Sequence, residues 1–159
     1  MPLHLIPGVG LEPGFRFGDR RALLLDRLGQ PSRIVPLAES EADVNEREQL
    51  EFDELQLSLR FYGDRLAWIE SESPAAEWLG RRLMGLRLPE LLELGAAAGL
   101  GEAEQLDHTS FLAVSWNEVW LQFFCTYSRV TRFTLGVLID NTTGDYVWPS
   151  DHDGGMRPN

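Results

Sequence analysis

The chain contains no lysine, so all 14 of its basic residues are arginine, and 25 acidic residues outnumber them. The formal net charge is −11 and the isoelectric point lies near 4.6. Binding to nucleic acid depends largely on cationic side chains that displace counterions from phosphates, so this charge argues against a nucleic-acid partner. It argues equally against an anionic membrane surface. It favours a basic protein partner that is reached by electrostatic attraction.

Cysteine and long apolar segments are equally scarce. Cys125 is the single cysteine, which excludes an internal disulfide, and its place in the apolar segment 121–127 predicts a buried side chain. No segment of the sequence approaches the roughly 20 apolar residues of a membrane-spanning helix. The N-terminal ten residues have neither a basic stretch nor a continuous apolar stretch, which is untypical of a signal peptide. We therefore expect a cytoplasmic protein with no membrane partner.

Motifs for catalysis and for cofactor binding are also lacking. The histidines His4, His108 and His152 have no partner at the spacing of metal ligands. The sequence has no G-x-S-x-G, and Gly8 and Gly10 are not followed by the third glycine of a dinucleotide-binding loop. The sequence therefore predicts no catalytic residue, no metal site and no cofactor.

The apolar residues, which make up 43% of the chain, are arranged as two helices and several strands. Asp19 is placed to cap a first helix over 20–28, which Gly29 ends. A second helix opens after Gly85 with Pro89 in its first turn, and closes at Gly95 or within 96–101. These signals predict an α+β fold.

The strand signals are alternating apolar residues bounded by turns. A hairpin is predicted with its turn at residues 62–65: alternate positions from 55 to 61 are apolar on its first strand, and Leu66, Trp68 and Glu70 occupy alternate positions on its second strand. Short extended segments are predicted at 32–37 and near 50–52, and a short helix or turn at 75–83. Further strands are predicted at 111–115, 119–127, 129–140 and 146–148, before a flexible tail at 151–159.

The two halves of the chain show the same order of features, which indicates an internal repeat. Gly18 and Gly85 each precede one of the two helices and lie 67 residues apart. A pair of leucines follows each glycine at the same distance along the chain. Residues 59–61 correspond in kind to residues 121–123. We therefore predict a first helix-plus-hairpin repeat at residues 1–73 and a second helix-plus-meander repeat at 74–150, within one compact unit.

The opening of the chain resembles a known type of bacterial repeat. The pattern I-P-G-x-G at 6–10, F-G-D at 17–19, a leucine-rich helix and L-G-x-P at 28–31 is similar to the helix-plus-sheet repeats of the β-lactamase-inhibitory-protein and SmpA type. This resemblance implies two tandem repeats that form one curved antiparallel sheet with the helices on one face. The cysteines of the secreted inhibitor and the lipoprotein signal of the outer-membrane members are missing, which leaves a cytoplasmic role.

Several bacterial immunity proteins are similarly small, acidic and without catalytic residues, so the resemblance implies an immunity protein that binds a basic toxin or effector protein. We expect it to occlude the active site of that toxin, and a cationic nuclease delivered between cells is the kind of toxin that fits this charge. The acidic segment 39–54, with eight acidic residues against one arginine, would supply the charge, and aromatic side chains would supply the anchor. The candidate partner-binding residues are Glu46, Glu48, Glu51, Asp53, Trp116 and Trp148.

Alternative interpretations remain open from the sequence. The segment 39–54 is also typical of a solvated acidic loop. A curved sheet could enclose a pocket in which carboxylates bind a small molecule or catalyse a reaction. A third interpretation is a self-associating protein, for example a homodimer, which would show a concentration-dependent mass and no heterologous partner.

Overall fold

The computed structural model describes residues 2–37 and 47–149 of the chain. Within these ranges, the first half comprises β1 (Leu3–Ile6), β2 (Gly10–Glu12), β3 (Phe15–Arg16), α1 (Arg21–Leu28), β4 (Arg33–Pro36), β5 (Glu48–Phe52), β6 (Leu57–Tyr62) and β7 (Arg65–Ser71). The second half comprises β8 (Ala76–Trp78), β9 (Arg81–Arg82), α2 (Leu88–Ala97), β10 (Glu104–Asp107), β11 (Leu112–Trp116), a 3-10 turn (Asn117–Val119), β12 (Leu121–Thr126), β13 (Arg129–Gly136), β14 (Leu138–Ile139) and β15 (Tyr146–Val147).

The predicted α+β class is confirmed. The main sheet has eight antiparallel strands in the order β10-β11-β12-β13-β7-β6-β5-β4, so each half contributes four consecutive strands and β7 pairs with β13 at the centre. A second sheet has the order β3-β2-β1-β8-β9, and β14 pairs with β15. The helix or turn predicted at 75–83 is wrong. This segment forms β8 and β9 because Ala76 and Trp78 alternate into the core while β8 pairs with β1.

Both helices pack on the same buried face of the main sheet. Leu24 of α1 and Leu91 and Leu94 of α2 belong to the hydrophobic cluster that also contains the inward residues of the strands. Asp19 does not cap α1 as predicted. The N-cap is Arg20, and the Asp19 carboxylate instead accepts a hydrogen bond from the Arg16 backbone N–H at 3.4 Å. Neither helix has the length and apolar character of a membrane-crossing helix, and none other in the described ranges has.

Two β-bulges interrupt the alternation of the main sheet. The register between β6 and β7 shifts at Arg60/Phe61, and the register between β12 and β13 shifts at Phe124/Cys125. A bulge adds one residue on one strand and so moves the following side chains to the opposite face. Leu66 and Ala67 are therefore both buried, and the predicted alternation of Leu66 with Trp68 breaks between them.

The same backbone hydrogen bonds tie each helix to its four-stranded meander. Gly18 N–H donates to the Leu66 carbonyl at 2.9 Å, and Gly85 N–H donates to the Val130 carbonyl at 2.8 Å. Both glycines have positive φ, 94° and 84°, which favours glycine over residues that carry a Cβ. The chain therefore enters the two helices by the same local geometry.

The β12–β13 turn offers a test of backbone strain. Tyr127 and Ser128 both have positive φ, 51° and 63°, as a two-residue type I′ turn requires. The left-handed conformation costs residues with a Cβ roughly 1–2 kcal/mol each. We expect the double substitution Tyr127→Asn/Ser128→Gly to raise the free energy of unfolding by about 1–2 kcal/mol in urea titrations. Gly63→Ala, in the β6–β7 turn, should lower it, and equal effects of both changes would contradict this account.

The contact between α2 and β11 gives a second prediction. A Cβ added at Gly95 would lie 2.1 Å from Trp116 Cζ2, whereas Gly101 has no atom within 4 Å of such a Cβ. Replacing a glycine inside a helix by alanine normally stabilises the helix by about 1 kcal/mol. We expect Gly95→Ala to have the opposite effect and to lower the free energy of unfolding by about 1–3 kcal/mol, because the added Cβ overpacks the contact with Trp116. Gly101→Ala is the control, and stabilisation by Gly95→Ala would show that α2 can move away from Trp116.

Candidate partner-binding site

The face of the main sheet opposite the helices, which we call the open face, carries a continuous row of polar residues. The row has one residue on each of the eight strands, and each row residue lies directly opposite the row residue of the neighbouring strand. On the inner strands, the residues before and after the row residue are buried in the core. Because side chains alternate along a strand, the row points away from the helices. This polar row is Arg33, Glu51, Ser58, Glu70, Thr134, Gln122, Ser115 and Glu104.

One half of the open face forms a cleft of about 360 Å³, open to solvent. We call it the acidic cleft because four carboxylates and one guanidinium line it. Arg33 holds two of these carboxylates: its Nε donates to Glu51 Oε1 at 2.9 Å and its NH1 donates to Asp53 Oδ2 at 2.8 Å. The lining residues are Arg33, Glu51, Phe52, Asp53, Gln56, Leu57, Ser58, Glu70 and Glu72.

Glu70 lies on the central strand β7, at the inner end of the acidic cleft. Burial raises the pKa of its carboxyl above the usual range, and the charge of Arg132 opposes this shift while that of Glu72 adds to it. The nearest cation is Arg132, whose Nε lies 3.9 Å from Glu70 Oε1. This separation is longer than a hydrogen bond, so the carboxylate retains acceptor capacity. A carboxylate with a raised pKa in a cleft is a recognised mark of a functional position.

Two cation–π pairs flank Glu70 on the open face. The Arg60 guanidinium lies 4.1 Å from the centre of the Trp68 ring, and the Arg132 guanidinium lies 4.2 Å from the centre of the Phe124 ring. Each pair joins residues that face each other directly across two strands, β6 with β7 and β12 with β13. These pairs hold the two long arginine side chains against aromatic rings of the sheet.

The structure brings two of the four predicted acidic residues into the cleft. Glu51 and Asp53 line it, both paired with Arg33. Glu48 pairs with Arg21 of α1 at 3.1 Å and is not among the lining residues. Glu46 lies outside the described residues, as do residues 39–45 of the acidic segment and the tail predicted at 151–159.

The two aromatic residues predicted as surface anchors are buried, so that prediction is wrong. Trp116 is 5% exposed, and its Nε1–H donates to the Gly101 carbonyl at 2.9 Å. Trp148 is 8% exposed and packs between Tyr146 and the guanidinium of Arg65. Both indoles fill space in the interior, where a hydrophobic ring gains most from removal from water.

The sequence interpretation missed Glu70 and Glu72, which complete the cleft. The alternation predicted for the hairpin placed Glu70 on the same face of the strand as Leu66, whereas the bulge puts the two side chains on opposite faces. Cys125, by contrast, is buried as predicted, and burial raises the pKa of its thiol. In the described ranges no three His, Cys, Asp or Glu side chains group as a metal site would require.

Comparison with known proteins gives the fold alone. No protein-family model matches the chain, and no curated protein matches it. Its structure is similar to that of an extracellular protein containing a SCP domain from Bacillus anthracis str. Ames, with a TM-score of 0.52 and 12% sequence identity. The similarity covers 76% of this chain and 43% of that protein, so the chain spans less than half of its length.

The raised pKa of Glu70 predicts how its contribution to the free energy of unfolding changes with pH. A carboxyl whose pKa is higher in the folded state than in the unfolded state makes its full stabilising contribution at pH values below the unfolded pKa. That contribution is lost as the pH rises through the folded pKa. We therefore expect Glu70→Gln to raise the free energy of unfolding at pH 7, and to raise it less at pH 4. Urea unfolding at both pH values measures this difference. Glu93→Gln on α2 is the matched control, and a Glu70→Gln variant less stable than wild type at pH 7 would show that attraction to Arg132 outweighs burial.

Proposed function

We propose that the chain consists of two tandem copies of one unit, at residues 1–73 and 74–150. The proposal is supported by the same order of hairpin, helix and four-stranded meander in both halves. The matched hydrogen bonds of Gly18 and Gly85 support it, as do the bulges at Arg60 and Phe124, which lie 64 residues apart. At this offset Glu70 is equivalent to Thr134, which faces it across the centre of the sheet. The bulge positions favour pairing residue 60 with 124, rather than with 122 as the sequence pattern indicated.

We further propose that the chain is an immunity protein that binds a basic bacterial toxin through its open face and blocks the active site of that toxin. The observation that carries the proposal is the acidic cleft, where four carboxylates face solvent beside one guanidinium. Toxins that cut nucleic acid need a cationic groove to hold phosphates, so carboxylates on a sheet can occupy that groove in place of the substrate. In this proposal the chain acts in the cytoplasm of the cell that the toxin enters.

The carboxylates of the cleft would contribute unequally to such a complex. Glu51 and Asp53 already share Arg33, so a partner gains less by approaching them. Among the described residues Glu72 has no ion-pair partner, and Glu70 is partly removed from water. Burial of a charge is offset only when a counter-charge is close, so an arginine or lysine of the partner would gain most beside Glu70 and Glu72.

The alternative of a small-molecule binder or an enzyme also has one supporting observation, the raised pKa of Glu70 in the cleft. The cleft is open to solvent, whereas small ligands are usually enclosed over most of their surface. The geometry therefore favours a protein partner, and a thermal-shift screen with small ligands would test the alternative.

The test is a charge reversal in the cleft with a matched reversal elsewhere. Tagged wild-type chain is used to capture proteins from a bacterium that encodes it, at low and at high salt. We expect one basic protein that is toxic when expressed alone and harmless when expressed with the chain. Glu51→Lys/Glu72→Lys should lower its affinity at least about tenfold and abolish protection, because like charges placed opposite one another cost several kcal/mol. High salt should weaken the wild-type complex.

Asp26→Lys/Glu93→Lys is the control. These residues are exposed on α1 and α2, on the other side of the sheet, and their reversal changes the net charge by the same amount. Equal loss of affinity in both double variants would show that only the overall charge matters. Full protection by the cleft variant would exclude the cleft as the binding site.

A further inference from the structure

Trp120 is an exposed aromatic residue, and in the described ranges it shares a left-handed backbone with the exposed Leu79 and Tyr127. It is 51% exposed and follows the 3-10 turn Asn117–Val119 with a left-handed backbone, φ 51°. Bulky residues rarely adopt positive φ, and at Trp120, as at Tyr127, the turn imposes it, so the choice of an indole needs another reason. Tryptophan is also the residue type most enriched among the energetic hot spots of protein interfaces.

The first half of the chain has glutamine at the equivalent position. Gln56 has φ 54°, and its N–H donates to the Asp53 carbonyl at 3.2 Å, as Trp120 N–H donates to the Asn117 carbonyl at 3.2 Å. The Gln56 carbonyl then accepts a hydrogen bond from the Glu72 backbone N–H, and the Trp120 carbonyl accepts one from the Gly136 backbone N–H. Since glutamine supports the same turn, the backbone does not require an indole at position 120.

The surroundings of Trp120 form a row on the open face. Gly136 lies beside it, and a Cβ added there would be 3.4 Å from Trp120 Cβ. Gly136 pairs with Trp68 of β7, over which Arg60 is stacked. The absence of a side chain at Gly136 leaves room for the Trp120 side chain to start beside it, and the strand residue opposite Gly136 is the half-buried Trp68. We call Trp120, Gly136 and Trp68 the aromatic row.

The two halves of the open face therefore differ in chemistry at matching positions. In the first half Gln56 and Glu72 line the acidic cleft. In the second half the equivalent positions hold Trp120 and Gly136, and the equivalents of Glu51 and Glu70 are Ser115 and Thr134. Beside the central Glu70–Thr134 pair, the first half thus has a glutamine and carboxylates where the second half has Trp120, Gly136 and hydroxyl side chains, and the carboxylate of the second half in the polar row is Glu104 on the outermost strand.

We infer that Trp120 is the apolar anchor of the partner-binding face, and that the partner is a basic protein that presents an apolar side chain beside its arginine or lysine residues. This inference rests on the proposed function and names the second half of the same site. The charge of the cleft commits it to a basic partner, because a second copy of the chain would bring a net charge of −11 against the same face. The apolar side chain would cover the exposed indole and exclude water from the neighbouring charge pairs.

The experiment uses a photo-crosslinking amino acid at Thr134, in the middle of the open face, in living cells of a bacterium that encodes the chain. The substitution Trp120→Gln copies the residue that the first half uses, so the turn should fold, and thermal unfolding checks this. We expect one crosslinked basic protein, whose yield falls at least about tenfold in Trp120→Gln and is partly retained in Trp120→Phe. Tyr127→Ala, which removes a 97% exposed aromatic from the β12–β13 turn, should leave the yield unchanged.

The other outcomes separate the anchor from the proposed function. A crosslink that Glu51→Lys/Glu72→Lys abolishes but Trp120→Gln leaves intact would overturn the anchor and leave the acidic cleft as the site. No heterologous crosslink from position 134, with the same probe at exposed Leu23 of α1 as the reference, would overturn both. A crosslink to a second copy of the chain would overturn the basic partner.

Discussion

The antiparallel pairing of β7 with β13 is the contact on which the rest of the structure depends. These strands belong to different halves of the chain, and their ladder, with Glu70 opposite Thr134, joins two four-stranded meanders into one sheet. Without it, β7 and β13 would each be an edge strand whose unpaired backbone groups could pair with another chain and promote aggregation. The pairing also sets Phe133 and Leu135 beside Ser71 and Ile69, so one continuous core lies under both helices.

The two bulges decide which chemistry this sheet offers to solvent. Each bulge adds one residue to a strand near the turn of its hairpin, so the side chains that follow on that strand point to the opposite face of the sheet. In the first half this turns Trp68 and Glu70 outward and leaves Ile69 in the core. The open face therefore owes its central carboxylate to a single extra residue, Ala67, rather than to the polarity of the segment around it.

The ion pairs of the open face are suited to recognition more than to stability. Exposed pairs such as Arg33 with Glu51 contribute little to folding, because water and salt screen them. They do fix the direction of the carboxylates. Glu70 is the exception, because burial of its carboxyl makes the charged form costly. In the proposed complex, a cation of the partner would offset that cost.

Short sequence patterns determined the helices, turns and strands whose formation depends on neighbouring residues in the chain. Gly85 and Pro89 placed the second helix, and the turn at 62–65 placed the first hairpin, because turns, caps and strand alternation depend on neighbours in the chain. The acidic character of Glu51 and Asp53, and the burial of Cys125, followed from the same local reading.

Only the tertiary structure decided which face each strand residue occupies and which distant residues meet. It paired β1 with β8 and so made strands of a segment predicted as helix or turn. It buried Trp116 and Trp148, exposed Trp120, and joined Glu70 to Glu51 across two strand pairings. A one-residue bulge leaves composition and periodicity almost unchanged, yet it reverses the direction of every side chain that follows on its strand. The pairing of Glu70 with Thr134, 64 residues later, leaves no mark in the local sequence pattern. That is why the sequence determined the elements of this protein, and the packing of those elements determined its candidate site.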